Sequence, residues 1–257
     1  MLNTADQPAI QVKNLSAVFR SDNGGLQALE DVSFDVQHQE FLCVLGPSGS
    51  GKSTLLRILA GLLPPSAGEV LYAGEPLSGP KAGLGFVFQK ANLMPWRSVL
   101  GNITLPLEID GMDARKAAHM AEEMVELVGL VGFEDTLPRD LSGGMEQRVA
   151  IGRALIHDPE VLLLDEPFGS LDALTRERMG IELMRIWQAH RKTVIMVTHS
   201  ISEALFLADR VVVLSHRPGT IRLDIQVQMP RPRQESMRYS PEFGELSYRL
   251  RDAIGNS

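Results

Sequence analysis

Four short runs of consecutive apolar residues divide the chain. They lie at residues 41–45, 86–88, 161–164 and 194–197. Runs without a polar alternation are typical of parallel strands that are covered on both faces. Helix-like segments separate these runs, so the pattern predicts an α/β core built on a mostly parallel sheet.

A different pattern precedes the first run. Val32, Phe34 and Val36 alternate with polar residues, as expected for a strand with one solvated face. We therefore predict an antiparallel β layer near the N-terminus, in addition to the parallel core.

The long interval between the second and third runs has helical periodicity. Residues 114–128 place five apolar side chains near one face, which predicts an amphipathic helix; they are Ala117, Ala118, Ala121, Val125 and Val128. We interpret this interval as an inserted helical lobe. The predicted division of the chain is a core of residues 1–90 and 154–230, a helical lobe of residues 91–153 and a C-terminal tail of residues 231–257.

The predicted tail is polar and begins with arginines beside prolines. We interpret Arg231 and Arg233 as part of a solvated linker, with a docking patch as the weaker alternative. Residues 241–254 that follow have the pattern of a short helix.

Composition narrows the class of protein. A chain of 257 residues with 44% hydrophobic content can bury a sizeable core. No apolar run approaches the roughly 20 residues that a membrane span needs, and the N-terminus lacks a secretory pattern, so we expect a cytosolic chain. The net charge of -7 argues against a general nucleic-acid surface, and no nucleic-acid partner is expected. Cys43 lies within an apolar run, which favours a buried thiol.

The loop after the first apolar run fits the phosphate-binding pattern G-x-x-x-x-G-K-[ST]. Its residues are Gly46, Pro47, Ser48, Gly49, Ser50, Gly51, Lys52, Ser53 and Thr54. It lies between a predicted strand and a helix predicted from Ser53 to about Leu62, as this motif requires. Backbone N–H groups would converge on phosphate oxygens, Lys52 would approach the β and γ phosphates, and the Ser53 hydroxyl would bind Mg²⁺. The alternative is an ordinary glycine turn with a surface lysine.

Two carboxylates follow the third apolar run, where open α/β sheets bind ligands. We expect Asp165 to hold Mg²⁺ through water and Glu166 to act as the general base that polarises a water for attack on the γ phosphate. The alternative is a solvated acidic turn. Together with the loop, these residues predict ATP and Mg²⁺ as ligands.

A second glycine-rich turn, Leu-Ser-Gly-Gly-Met-Glu-Gln-Arg at residues 141–148, lies between these two motifs. With all three motifs in this order, the chain resembles the ATP-binding subunit of an ABC transporter over nearly its whole length. The resemblance implies a P-loop NTPase of ABC type, with a RecA-like mixed sheet core, an N-terminal antiparallel β layer and an inserted helical subdomain. It also implies ATP hydrolysis.

The resemblance assigns three further residues to the nucleotide site. His199, one of six histidines, matches the histidine that contacts the γ phosphate and helps to hold the catalytic water. Gln89 matches the glutamine that touches Mg²⁺ or water and senses the membrane partner. Phe19 matches the aromatic residue that stacks on adenine. A structural hydrogen bond for His199 and a core position for Phe19 are the alternatives.

The resemblance also implies that a second copy of the chain completes each site. Ser142, Gly143 and Gly144 of one subunit would contact the γ phosphate bound to the other, and Asp172 would lie in the loop that crosses this interface. Ser142 and Asp172 are also good N-cap residues, and the two roles are compatible. Met145 and Glu146 depart from the commonest family pattern, in which glutamine and a basic residue are frequent, so this turn carries a different local charge.

Residues 94–99 and 208–219 resemble the nitrate, sulfonate and taurine importer branch. This implies import of a small anionic or organic nutrient, at the cytoplasmic face of the inner membrane, with two permease subunits and an external solute-binding protein. Leu93 and Trp96 would form a groove for the permease, or else fill the core of the lobe. An exporter subunit, a soluble ABC ATPase not coupled to transport and a nucleotide-binding scaffold are the alternative functions.

Overall fold

The computed structural model describes residues 7–19 and 25–255. This part of the chain contains ten strands and seven α-helices. The strands are β1 (Ile10–Phe19), β2 (Leu26–Val36), β3 (Phe41–Leu45), β4 (Ala67–Tyr72), β5 (Glu75–Pro76), β6 (Leu84–Val87), β7 (Val161–Asp165), β8 (Thr193–Thr198), β9 (Arg210–Leu214) and β10 (Ile221–Gln226). The helices are α1 (Lys52–Leu59), α2 (Val99–Ile109), α3 (Ala114–Leu127), α4 (Gly143–Leu155), α5 (Ala173–His190), α6 (Ile201–Leu207) and α7 (Pro241–Gly255).

The chain divides into two compact units. The first consists of Met1–Lys81 and Thr193–Ser257, and the second of Ala82–Lys192. The predicted helical lobe, residues 91–153, lies within the second unit, and its boundaries stay a prediction. Within the described residues, no helix is both long and apolar enough to cross a bilayer.

An antiparallel sheet of order β2-β1-β4-β5 forms one layer of the first unit. Ile10 pairs with Val36 across β1 and β2, and with Tyr72 across β1 and β4. Val32 and Phe34 are buried while the residue between them is exposed, because alternate side chains point to opposite faces. The predicted antiparallel layer is confirmed.

The first unit also contains the strands β10-β9-β3-β8. β3 runs parallel to both β8 and β9, and β10 is antiparallel to β9. Every residue of β3 is buried, as its uninterrupted apolar run predicted. Cys43 is one of them, and burial raises the pKa of its thiol well above the ordinary value.

Helix α1 ends at Leu59, three residues before the predicted end near Leu62. Gly61 follows with a φ of +70°, a left-handed conformation that commonly ends helices and favours glycine. A Cβ atom at Gly61 would lie 2.3 Å from the carbonyl carbon of Gly79, so the chain also approaches too closely for a side chain. The helix therefore stops where the backbone must turn.

In the second unit, β6 and β7 are parallel, with Leu84 opposite Val161. β6 ends at Val87, so Phe88 lies beyond the strand that was predicted to include it. Ala117, Ala121 and Val125 form the buried face of α3, as predicted, and Val128 is buried just after the helix ends. Ala118, which was predicted for the same face, is only half-buried.

Helix α2 was not predicted, because it has no clear polar face and contains Pro106. Its start is capped by Ser98, whose side chain accepts a hydrogen bond from the Gly101 N–H. Ser98 is a local start signal that the sequence interpretation overlooked.

The interpretation of Arg231 and Arg233 as a solvated linker is wrong. Arg233 is 6% exposed and donates to the carbonyl oxygens of Leu205 and Val227, at 2.8 and 3.3 Å. Arg231 forms an ion pair with Asp209 at 2.7 Å. Local polarity suggested a solvated segment, but the guanidinium groups satisfy distant carbonyl and carboxylate oxygens instead. The helix predicted at residues 241–254 is present as α7.

Candidate functional site

The phosphate loop of the first unit connects β3 to α1. Gly49 and Gly51 have φ angles of +79° and +91°, which strain any residue with a side chain. A Cβ atom at Gly51 would also lie 2.7 Å from the carbonyl oxygen of Ala28. The glycines of the motif are therefore required by the path of the backbone, independently of any ligand.

Lys52 is folded into this loop. It is 5% exposed, and its Nζ donates to the carbonyl oxygens of Gly46 and Pro47 at 2.9 Å each. These bonds hold a buried positive charge beside the start of α1. The alternative of a surface lysine is wrong, because the side chain is enclosed by its own loop.

The donor groups of the loop fit a phosphate-bearing ligand. The Ser50 Oγ is buried and has no hydrogen-bond partner within the described residues. Gly51 is the N-cap of α1 and has no side chain with which to cap the first N–H groups of the helix. A helix start without a side-chain cap, next to a buried cation, suits a bound anion.

The two carboxylates of the second unit occupy different environments. Asp165, the last residue of β7, is buried, whereas Glu166 is half-buried. Glu166 has a φ of +43°, and a left-handed conformation costs a non-glycine residue about 1–2 kcal/mol. Such strain is concentrated at functional sites, where a side chain must be held in one direction.

Gln89 and Glu166 are brought together because β6 and β7 are parallel neighbours whose carboxyl ends meet. The Gln89 Nε2 donates to the Glu166 Oε2 at 3.4 Å. A Cβ atom at Gly169 would lie 3.5 Å from that same carboxylate oxygen. The Gly169 N–H also donates to the Glu166 carbonyl oxygen at 3.0 Å.

In the first unit, His199 is exposed directly after β8. The residues on both sides of His199 are held by hydrogen bonds. The Thr198 hydroxyl donates to the Glu203 carboxylate at 2.6 Å, and the Ser200 N–H donates to the Thr198 hydroxyl at 3.0 Å. Phe19 ends β1 and is 40% exposed, which argues against the alternative that it is a core residue.

Ser142 and Asp172 are N-caps in the second unit. The Ser142 hydroxyl accepts from the Met145 N–H at 3.4 Å, at the start of α4. Asp172 starts α5 and accepts from the N–H groups of Leu174 and Thr175 at 3.1 Å each. Hydrogen bonds from the Thr175 side chain, and then from its backbone, lower the pKa of Asp172. Both capping interpretations are confirmed, and the roles across a dimer stay predictions.

Each unit offers one oxygen donor of the type that magnesium binds together with phosphate groups. No cluster of three or more His, Cys, Asp or Glu side chains fit to hold a metal occurs within the described residues. Mg²⁺ keeps several waters and often takes only one or two protein oxygens besides those of a phosphate. The Asp165 carboxylate and the Ser53 hydroxyl are ligands of that hard type.

Trp96 is 73% exposed, so the alternative that it fills the core of the lobe is wrong. Its loop is organised by Asn102, which is fully buried in α2. The Asn102 side chain donates to the carbonyl oxygens of Met94, Arg97 and Ser98 and accepts from the Met94 N–H. Sequence reasoning missed Asn102, because its partners are recognisable only in the folded loop.

Known proteins similar to this chain are ATP-binding proteins of transporters. A family model described as ABC transporter matches residues 29–169. An uncharacterized ABC transporter ATP-binding protein of Methanocaldococcus jannaschii is 49% identical over 93% of this chain and 88% of its own length. The nitrate import ATP-binding protein of Synechocystis is 42% identical over 93% of this chain and 92% of its own length. An aliphatic sulfonates import ATP-binding protein of Bacillus cereus is 43% identical over 92% of each.

Solved structures give the same answer for the fold. A dimeric ATP-binding cassette in a post-hydrolysis state, bound to ADP and phosphate, matches with a TM-score of 0.76 and 31% identity. The match covers 86% of this chain and 100% of that one. The loop geometry, the family match and these near-full-length relatives lead to one conclusion: the chain belongs to the ABC transporter family and is one of its ATP-hydrolysing ATP-binding subunits.

Proposed function

We propose that this chain powers the import of a small anionic or organic nutrient, as the nucleotide-binding subunit of an ABC transporter. The observation that carries this proposal is the match to nitrate and aliphatic sulfonate import proteins over more than nine-tenths of the chain. The transported solute is a property of the permease and its binding protein, so these relatives support a class of solute and not one compound.

In the proposed reaction, the phosphate loop binds the ATP phosphates through its N–H groups, and the Lys52 Nζ transfers from loop carbonyl oxygens to phosphate oxygens. Magnesium, held by Ser53 and Asp165, would neutralise phosphate charge when bound. Phe19 stacks on the adenine ring. These assignments agree with the burial of Lys52 and Asp165 and with the exposure of Phe19.

Glu166 is the proposed general base. It accepts a proton from the attacking water, which then bonds to the γ phosphorus as the bond to the β-phosphate oxygen breaks. The hydrogen bond from Gln89 and the strained Glu166 backbone support a carboxylate that is held in one orientation. His199 contacts the γ phosphate and helps to hold the same water.

We infer that two copies of the chain act together. Ser142, Gly143 and Gly144 at the start of α4 would present N–H groups to the γ phosphate bound by the partner copy, while Asp172 would lie at the crossing loop. The dimeric state of a structural relative that holds ADP and phosphate supports this arrangement.

The remaining partners follow from the importer assignment. The dimer would bind two permease subunits at the cytoplasmic face of the membrane, and a solute-binding protein would deliver the nutrient from outside. The exposed Trp96 supports a permease contact on the Asn102-organised loop.

Reconstitution in vesicles tests this function. The chain and its permease are reconstituted together, with Mg-ATP enclosed in the vesicles so that only complexes whose ATPase faces the lumen are driven. Uptake of nitrate, alkanesulfonates and taurine is measured with the solute-binding protein outside. We expect one solute to accumulate inside, and a complex that carries Glu166→Gln should not accumulate it. Efflux instead of uptake would favour the exporter alternative, and an ATPase that binds no permease would favour the soluble machine.

A further inference from the structure

Three arginines from the C-terminal segment bind one short helix of the first unit. Arg231, Arg233 and Arg238, which we call the arginine clasp, all contact residues of α6. Helix α6 begins two residues after His199, the proposed contact of the γ phosphate. The clasp therefore contacts the element that continues directly from the histidine.

Two arginines of the clasp bind the end of α6. The Arg231 Nη2 donates to the Leu207 carbonyl oxygen at 2.6 Å, and the Arg233 Nη1 donates to that of Leu205 at 2.8 Å. The last four carbonyl groups of a helix lack partners within the helix, so these bonds satisfy acceptors that would otherwise need water. Burial, and then the charge of Arg231, lower the pKa of Arg233 to about 10, which leaves the side chain protonated near neutral pH.

Arg238 holds the beginning of the same helix. Its Nη1 donates to the Ser202 Oγ in the first turn, three residues after His199. Its guanidinium also lies 4.1 Å from the centre of the Phe206 ring, within the range of a cation–π interaction. Phe206 is buried, so Arg238 contacts the core as well as the half-buried hydroxyl of Ser202.

Helix α6 has only seven residues, which is too short for its own hydrogen bonds to hold it in water. Its position must therefore come from packing and from the residues that bind its ends. Glu203 connects α6 back to the histidine segment, because it accepts from Thr198 at 2.6 Å and its N–H donates to Ser200 at 3.3 Å. A shift of the first turn of α6 would move the backbone on both sides of His199.

We propose that the arginine clasp positions His199 for ATP hydrolysis through α6, and that Arg238 is the positioning residue that sets the first turn. The inference rests on the role given to His199 in the proposed function. Arg238 does not touch the nucleotide in this mechanism, so its loss should slow the reaction step and leave ATP binding by the phosphate loop intact.

Steady-state hydrolysis of Mg-ATP by the full chain tests the clasp. Arg238→Ala should lower kcat about tenfold, because small misplacements of reacting groups cost up to about 10²-fold, and should change KM less than about twofold. Arg238→Lys keeps a cation over Phe206 and should recover part of the rate. Arg249→Ala, an exposed arginine of α7, is the matched control and should behave as the native chain. A native kcat in Arg238→Ala, or a loss confined to KM, would overturn the proposal.

A second pair of variants separates positioning from folding and from the role of His199. Ser202→Ala removes only the acceptor of the Arg238 hydrogen bond. Like Arg238→Ala, it should lower kcat, without a large change in the unfolding temperature. In single-turnover reactions, which keep slow rates measurable, Arg238→Ala should have little added effect in a His199→Ala chain. If Arg238→Ala lowers the hydrolysis rate equally with and without His199, the clasp does not act through His199, and only this proposal is wrong. A native rate in His199→Ala would instead show that the proposed role of His199 is wrong.

Discussion

Two residues of the candidate site adopt arrangements that lower the stability of the fold. Glu166 keeps a left-handed backbone, and Lys52 is a buried cation bonded to carbonyl groups of its own loop. Both arrangements cost free energy in the absence of a ligand. We expect both arrangements to become favourable when Lys52 binds a phosphate group and Glu166 binds the attacking water.

Replacing Glu166 by Gln should slow ATP hydrolysis by about 10²- to 10⁴-fold, the usual contribution of a general base. The amide keeps the size of the side chain and can still pair with Gln89, so ATP affinity and thermal unfolding should stay close to native. Single-turnover hydrolysis and equilibrium ATP binding measure the two effects separately. Glu160→Gln, at an exposed position before β7, is the control. A native rate in Glu166→Gln at saturating Mg-ATP would show that another group accepts the proton.

At the scale of the elements, variants at the start of α4 test whether each nucleotide site is completed by the partner copy or uses the α4 of its own chain. A Cβ atom at Gly144 would lie 3.0 Å from the Thr175 Cγ2, so any side chain there disturbs local packing slightly. Gly144→Ala and Gly144→Asp share that contact, and only the second adds a negative charge. We expect Gly144→Asp to lose hydrolysis well beyond Gly144→Ala, because the carboxylate would repel the γ phosphate of the partner copy.

Mixing experiments identify which subunit carries the defect. Gly144→Asp chains should still bind ATP in their own loops, and mixing them with Lys52→Ala chains should restore one working site in each mixed dimer. Hydrolysis would then reappear from two inactive preparations. Absence of restoration, with mixed dimers demonstrated, would argue that each chain uses its own α4.

The C-terminal segment stabilises the first unit through the hydrogen bonds of Arg233. Arg233→Ala would leave the carbonyl oxygens of Leu205 and Val227 without this donor, and an unsatisfied buried polar group costs about 1–3 kcal/mol. We expect the unfolding temperature to fall by several degrees. In a chain of this size, a loss of about 1 kcal/mol in the free energy of unfolding lowers the unfolding temperature by about 2–4 °C. Arg222→Ala, at an exposed position of β10, is the matched control. Equal unfolding temperatures for the two variants would show that Arg233 contributes nothing net.

At the scale of the whole molecule, we predict that Trp96 contacts the permease. Truncating an aromatic anchor at an interface commonly costs at least about 2 kcal/mol, so Trp96→Ala should weaken permease binding by more than about tenfold. Because Trp96 is exposed, the isolated chain should keep its unfolding temperature and its ATP affinity. Trp96→Phe retains most of the apolar surface and should bind more tightly than Trp96→Ala. Native co-purification and transport with Trp96→Ala would place the permease contact elsewhere.

Local patterns in the sequence were sufficient to predict several strands and helices and to identify the phosphate loop. Apolar runs predicted β3 and β7, and helical spacing predicted the buried face of α3. Ser142 and Asp172 were identified as helix caps. Each of these features depends on residues only a few positions apart, whose preferences act within one strand, turn or helix. The roles of the candidate residues in binding and hydrolysis remain predictions.

Contacts between distant segments were decided only by the tertiary structure. Gln89 meets Glu166 because two parallel strands end side by side, and Arg233 is buried because the end of α6 offers it a carbonyl oxygen. Trp96 is exposed in a loop whose backbone is hydrogen-bonded to Asn102 of α2. Polar and aromatic side chains can be solvated or buried with equal local plausibility, since their cost depends on which partners the fold supplies. The sequence by itself therefore determined β3, β7, the buried face of α3 and the phosphate loop, while the partners of these side chains were settled by the three-dimensional packing.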